Sequence, residues 1–307
     1  MNAHVTPLKP ALTSASSEPP ADASAAGVPP RSIGDILVAA GRLSPEGAMR
    51  VAQQQKVDKK PFGLTAVSLK LLRKEDVDFA LSRQFHYAYL PKQDASVSPE
   101  VVAAYKPFSR AGENLRAVRS QLMLRWFNAA SHPRALAVIS PEHGEGRSFV
   151  AANLAVVFAQ QGERTLLIDG DLRAGRQLGL FKLSPSAGLS GLLAGRTRLH
   201  EAAHAIVGLP GLAVLPCGAF PPNPQELLGR PGFSALLHEA ALTYDLVIID
   251  TPPAQHFSDA EIITSRAGAA LMVARRNVSS VPQSAALMGR LQDSGAAAVV
   301  GAVLNDA

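Results

Sequence analysis

Nine consecutive residues, Ser140-Pro141-Glu142-His143-Gly144-Glu145-Gly146-Arg147-Ser148, bring together two glycines, a cation and a hydroxyl at the mouth of a helix. The segment follows the apolar run Ala135 to Ile139 and precedes the helical pattern Val150 to Gln161. A strand that feeds a glycine turn opening a helix aims backbone N–H groups and the positive helix end at one point, which suits a phosphate. Ser148 then offers its hydroxyl to a magnesium ion on the phosphates, as in phosphate-binding loops. Two positions depart from that pattern: Pro141 replaces the first glycine and Arg147 the lysine. Arginine keeps the charge but presents a bulkier planar fork. Alone, the turn is also compatible with an ordinary strand-to-helix loop.

Two further segments speak for the phosphate reading. Thr165-Leu166-Leu167-Ile168-Asp169-Gly170-Asp171-Leu172-Arg173 is a strand-like run ending in two aspartates. Tyr244-Asp245-Leu246-Val247-Ile248-Ile249-Asp250-Thr251-Pro252-Pro253 is another, stopped by its prolines. Ligands of open α/β sheets bind outside the carboxyl ends of the strands, where these carboxylates lie. One strand-end aspartate is often only a helix cap. Three of them with a glycine turn in one α/β alternation are explained together by a magnesium–phosphate site.

The elements that must position these groups read as a mostly parallel sheet with helices on both faces. Strands are expected at 135–139, 165–169, 212–216, 246–250, 269–274 and 298–304, each short and apolar enough to be buried. Residues 1–30, rich in Pro, Ala and Ser, are expected to be a disordered arm. Residues 31–95 form a helical module and 96–307 the α/β domain. The module repeats at an offset of 29 residues: Ile33-Gly34 returns as Phe62-Gly63, Leu43-Ser44-Pro45-Glu46 as Leu72-Arg73-Lys74-Glu75, and Ala52 aligns near Ala80.

From Phe108 to Asn305 the chain resembles the bacterial tyrosine kinases, cytoplasmic partners of polysaccharide chain-length regulators and relatives of MinD-type ATPases, which have the P-loop NTPase fold. Besides the loop and the aspartates, the resemblance rests on Glu113-Asn114-Leu115-Arg116-Ala117-Val118-Arg119, Ala151-Ala152-Asn153-Leu154-Ala155, Pro222-Asn223-Pro224-Gln225-Glu226-Leu227-Leu228 and Gly301-Ala302-Val303-Leu304-Asn305. The fused module and the loop arginine look most like kinases of exosortase-associated exopolysaccharide loci. The resemblance implies ATP and Mg²⁺ as cofactors, held by Gly144, Glu145, Gly146, Arg147, Ser148 and Phe149. It implies Ser148, Asp169 and Asp250 around the metal, and Asp169, Asp171 and Asp250 as the catalytic acids. It also implies a homo-oligomer assembled through Glu113, Arg116 and Arg119, although the two arginines would serve equally as solvated charges on a helix face. An inner-membrane chain-length regulator would be the partner, with the chain cytoplasmic and peripheral to that membrane. The alternative activity is an ATP-binding scaffold without kinase turnover.

The family's tyrosine-rich tail has no counterpart after Asn305-Asp306-Ala307. Tyr244 begins a strand, so Tyr87, Tyr89 and Tyr105 are the expected internal acceptors. The helical module resembles the amino-terminal domain of type II secretion ATPases, some of which bind cyclic di-GMP. That motif wants a basic residue two before each glycine, where Ser32 and Pro61 stand, so protein docking is favoured.

Composition narrows the remaining classes. The formal net charge is +5 and charged residues make up 18%, so much of the chain is packed core or linker. Lys106, Arg110, Arg116, Arg119, Arg125 and Arg134 concentrate the excess in one span, without the aromatic interleaving of nucleic-acid readers. The lone Cys217 excludes an internal disulfide, and no apolar stretch is long enough to span a bilayer. His200-Glu201-Ala202-Ala203-His204 fits a zinc-protease pattern, but Gly195 and Pro210 confine it to a surface helix of about three turns without a third ligand. Gly144-Glu145-Gly146 lacks the third glycine of a dinucleotide fingerprint, since Phe149 fills that place.

Overall fold

A computed structural model describes residues 32–84, 88–91, 93–128, 134–295 and 297–306. The expected arm, 1–30, lies outside them. The chain forms two compact units, Met1–Ala80 and Leu81–Ala307.

The first unit holds α1 (Ile33–Ala39), α2 (Pro45–Asp58), α3 (Phe62–Ser68) and most of α4 (Lys74–Gln84). The helix starts repeat at the 29-residue offset read from the sequence. Gly41 and Lys70 occupy the same turn in the left-handed region, at φ 67° and 56°. The lysine therefore adopts the conformation that a glycine supplies in the first copy. Val51 rather than Ala52 is the counterpart of Ala80; both are buried with Leu37, Leu43, Ala66 and Leu72. Ser32 caps α1 through Asp35 and Ser44 caps α2 at Gly47 N.

The second unit continues with α5 (Val102–Tyr105), α6 (Arg110–Leu122), a π-helical turn Met123–Phe127, β1 (Ala135–Ile139), α7 (Arg147–Ala159) and β2 (Thr165–Asp169). Next come α8 (Gln177–Leu180), α9 (Gly188–Leu193), α10 (Leu199–Ala202), β3 (His204–Ala205), β4 (Leu212–Leu215), α11 (Pro224–Gly229) and α12 (Pro231–Thr243). The chain closes through β5 (Leu246–Asp250), α13 (Asp259–Ala267), β6 (Ala269–Arg275), α14 (Val281–Asp293) and β7 (Ala298–Asn305).

Seven strands form one sheet in the order β3-β4-β2-β5-β1-β6-β7, all parallel except the β3–β4 pair. Every residue of β1, β2 and β5 is buried, which explains their near-continuous apolar sequences. Alternation divides their side chains between two cores. Leu136, Val138, Leu167 and Ile248 meet α5, α6 and α7 on one face, while Ala137, Ile139, Leu166, Ile168 and Ile249 meet α9 and α11 to α14 on the other. Helix α7 is buried from Val150 through Ala159, so its sequence is apolar on every side. Each aliphatic side chain fully buried in this way contributes roughly 1.5–3 kcal/mol.

The histidine segment differs from its expected surface helix. Helix α10 ends after one turn because Ala203 turns extended (ψ 133°) and His204 and Ala205 pair antiparallel with Val214 and Ala213 of β4. His200 and His204 thus stand on different elements and cannot form the one-face pair that zinc requires. Among the described residues, no helix is long and apolar enough to cross a membrane.

Candidate active site

Strand order converges the loop and the acids. Strand β5 lies between β1 and β2, so Asp250 sits between the loop that follows β1 and the aspartates that end β2. Asp250 is in register with Asp169 on one side and with Val138 on the other. Gly170, just past the end of β2, donates its N–H to Asp250 O at 2.9 Å. A Cβ there would come within 2.6 Å of that same oxygen.

The loop turns through Gly144 and Gly146 at φ 76° and 98°, and Gly146 caps α7. A Cβ on Gly144 would meet nothing within 4 Å, whereas one on Gly146 would strike Asn305 Nδ2. Asn305, at the end of β7, donates to Glu145 O at 3.1 Å. Glu145 is fully buried; its carboxylate accepts from Glu142 N at 2.8 Å and from the Ser279 hydroxyl. Arg275 Nη1 reaches Gly144 O at 3.1 Å. The loop is therefore braced from within by Glu145 and from outside by the ends of β6 and β7.

Arg147 is also buried. Its Nε donates to Thr251 O at 2.9 Å, and its Nη1 donates at 2.5 Å to both Ser140 Oγ and Glu142 O. The planar fork staples the loop to the segment after β5, a task that a lysine point charge performs less well. Burial lowers its pKa, opposed by the charges of Asp250, Asp171, Glu145 and Glu142. Phe149 packs its ring against the apolar core rather than the turn.

Asp169 Oδ1 accepts from Asp171 N at 3.3 Å and its Oδ2 from Gln177 N at 2.8 Å. Asp171 Oδ1 accepts from Arg173 N and Ala174 N at 3.0 and 2.9 Å. Asp250 Oδ2 accepts from Gln177 Nε2 at 2.8 Å, and its Oδ1 is buried without a partner. Burial pushes the carboxyls of Asp169 and Asp250 up, and Asp250 and Asp171 push Asp169 further. Arg173 secures the far wall through Asp259 at 2.8 and 3.2 Å, with its guanidinium 3.8 Å from the Phe257 ring centroid.

These residues fit a hydrated magnesium ion bound with a nucleotide. Among the described residues no three His, Cys, Asp or Glu side chains are placed to hold an ion by themselves. Magnesium needs less, since it keeps several waters and takes one or two carboxylates plus phosphate oxygens. The orphaned Asp250 oxygen, the hydroxyl of Ser148 in the first turn of α7 and the crowded, desolvated carboxylates supply that donor set.

Gln177 was missed by sequence reasoning, and its signal was a polar residue in a turn whose Leu180 and Phe181 are core. Tyr105 is a poor acceptor candidate, because its hydroxyl donates to Val97 O at 2.6 Å and accepts from Val97 N. Tyr87 lies outside the described residues. On α6, Arg116 pairs with Glu113 within the helix, while Arg119 Nη1 turns inward to Val157 O at 2.8 Å.

No protein-family model matches the chain. The chain is 33% identical over 219 residues to the putative tyrosine-protein kinase CapB of Staphylococcus aureus, covering 70% of this chain and 92% of that relative. It is 36% identical over 204 residues to the tyrosine-protein kinase Etk of Escherichia coli K12, covering 66% of this chain but only 28% of Etk. Among solved structures, the kinase domain of E. coli Etk superposes with a TM-score of 0.64 at 33% identity, covering 71% of this chain and 89% of that one. The chimerical protein CapA2B2 superposes with a TM-score of 0.62 at 30% identity, covering 76% and 98%.

Proposed function

The chain belongs to the bacterial tyrosine kinase family, and from that membership we propose that it transfers the γ-phosphoryl group of ATP to protein tyrosines. The observation that carries the proposal is the convergence of Asp169, Asp171 and Asp250 on the glycine loop, with one Asp250 oxygen left for a cation. Gly144, Glu145 and Gly146 present their amides to the phosphates, and Arg147 fixes the shape of the loop that does so. Ser148, Asp169 and Asp250 hold the magnesium ion, directly or through its waters. The ion, when bound, neutralises charge on the phosphoryl group being transferred. Asp169 or Asp171 takes the phenolic proton as the tyrosine oxygen bonds to the γ-phosphorus. The bond to the bridging oxygen breaks and ADP leaves with that electron pair.

The setting we propose is control of exopolysaccharide chain length, polymerisation and export, in a locus of the exosortase-associated kind. Subunits associate through α6, with Glu113 and Arg116 paired on its surface and Arg119 tied inward to Val157 O. An inner-membrane chain-length regulator holds the assembly at the cytoplasmic face. Residues 31–95 serve as a protein-docking module ahead of the kinase domain, 96–307. Tyr105, whose hydroxyl is occupied, is the least favoured of the internal acceptors, and Tyr87 and Tyr89 remain the proposed ones.

A second reading, an ATP-binding regulator without turnover, draws support from the way Arg147 is fastened inside its own loop. One sample decides between them. Purified chain with Mg²⁺-ATP should yield phosphotyrosine and ADP together, both lost in Asp169→Asn. Nucleotide binding with neither product would establish the regulator, and phosphotyrosine undiminished in Asp169→Asn would overturn the kinase assignment.

A further inference from the structure

Gln177 is fully buried although its side chain is polar, so its hydrogen bonds must account for its presence there. Its backbone N–H holds Asp169 Oδ2 at 2.8 Å. Its carboxamide Nε2 holds Asp250 Oδ2 at 2.8 Å and Ser148 O at 3.2 Å. A single residue at the start of α8 thus ties together the ends of β2 and β5 and the first turn of α7. Two acceptors within this cluster are buried without a partner, Gln177 Oε1 and Asp250 Oδ1. Orphaned buried acceptors cost stability unless a donor or a cation meets them. The pair is linked through the Nε2–Asp250 bond, so whatever satisfies one is presented to the other's side chain.

We propose that Gln177 is a positioning residue for the metal. Its amide N–H groups fix the orientation of Asp250 so that Oδ1 stays available to the ion, and its carboxamide oxygen would accept a hydrogen bond from a water in the ion's hydration shell. This rests on the nucleotide–magnesium reading of the site. The chemistry is that of outer-shell partners generally: a ligating carboxylate held by a second hydrogen bond loses no orientational freedom when the ion arrives. Asp169 is untouched by changes to the side chain, because its bond comes from the backbone of residue 177.

The test is a magnesium titration of binding, read from the fluorescence of an N-methylanthraniloyl derivative of ADP on the full chain. Gln177→Met keeps length and apolar packing but removes both amide functions. It should raise the Mg²⁺ concentration at half-maximal binding by roughly tenfold to a hundredfold, the usual cost of losing an outer-shell partner. The fluorescence reached at saturating Mg²⁺ should stay near wild type. A merely structural role predicts an unmoved magnesium midpoint, with any effect confined to the melting temperature. Should the methionine variant not fold, Gln177→Asn serves in its place: still polar, but one methylene too short to span Ser148 O and Asp250 Oδ2. An unmoved midpoint in the folded variant overturns the role of Gln177 alone. Failure of the wild-type chain to bind the probe at any Mg²⁺ concentration overturns the nucleotide reading beneath it.

Discussion

Replacing Asp250 by asparagine should stabilise the ligand-free protein, and more so as pH rises. Asp250 and Asp169 are register partners on adjacent strands, β5 and β2. Neighbouring strands lie about 4.8 Å apart, and two unit charges about 5 Å apart at an effective dielectric of about 20 repel by roughly 3 kcal/mol. The Asp250 carboxyl leads to the same order by another route. Burial pushes it from 3.8 up to about 6, opposed by the bond from Gln177. A shift of about two units corresponds to ~3 kcal/mol. The folded state holds this proton more tightly than the unfolded chain. The stability it contributes is therefore complete below the unfolded value of 3.8 and is lost as pH climbs through about 6. Asparagine carries no charge at any of these pH values, keeps an oxygen for Gln177, and escapes that loss. Thermal unfolding in EDTA should show the variant level with wild type below about pH 4 and about 6–12 °C higher at pH 8, given roughly 2–4 °C per kcal/mol for a unit of this size. Excess Mg²⁺-ADP should reverse the order, because a ligand at about 1,000 times its dissociation constant adds about 4.1 kcal/mol to the wild type alone. An asparagine variant that melts lower at pH 8, or with a pH-independent difference, would refute the electrostatic argument.

Two other outcomes follow from single side chains. Arg147→Ala leaves Thr251 O and Ser140 Oγ without that donor, while Glu142 O keeps the Ser140 hydroxyl. At roughly 1–3 kcal/mol for each orphaned acceptor, its melting temperature should fall by several degrees. Arg147→Lys should fall less and keep Mg²⁺-ADP affinity within about tenfold; an alanine variant that melts like wild type contradicts the staple. Burial, then the charges of Asp169 and Asp171, push the Cys217 thiol up to about 12. Native protein at pH 8 should therefore be inert to Ellman's reagent and yield one thiol per chain only in guanidinium. Rapid titration of the native thiol would contradict that burial.

The parallel core was legible because its signal is one-dimensional. Strands expected at 135–139, 165–169 and 246–250 occur with those bounds, each an unbroken apolar run sealed by a turn or an acid. The other three differ by a residue or so at one end. Strand β3 was invisible, since two residues on an antiparallel edge carry no period, and the same stretch carried a helical histidine spacing instead. The acids were legible for the same reason as the strands that present them. Gln177, the inward-facing Glu145 and the brace from Asn305 were not, because their meaning lies in who stands opposite: Asp250, Ser279 and the loop itself. Sequence placed Arg147 in the loop but could not say that its fork would be spent on the loop's own carbonyls.

Charge explains why such a pocket should prefer a metal complex over the bare nucleotide. Four carboxylates, Asp250, Asp171, Glu145 and Glu142, act on the single buried guanidinium of Arg147, and Asp169 adds a fifth beside Asp250 and Asp171. The loop amides and the end of α7 contribute only fractional positive charge, about half a unit for a helix terminus. An unaccompanied nucleoside triphosphate would bring further anionic charge into this excess, in a site where little water remains to screen it. A divalent cation alters the balance from both sides, neutralising phosphate oxygens while satisfying carboxylates that burial already strains toward protonation. The acids that destabilise the ligand-free fold are the same ones a divalent cation would satisfy. Discrimination between the magnesium complex and the free nucleotide then needs no separate recognition element.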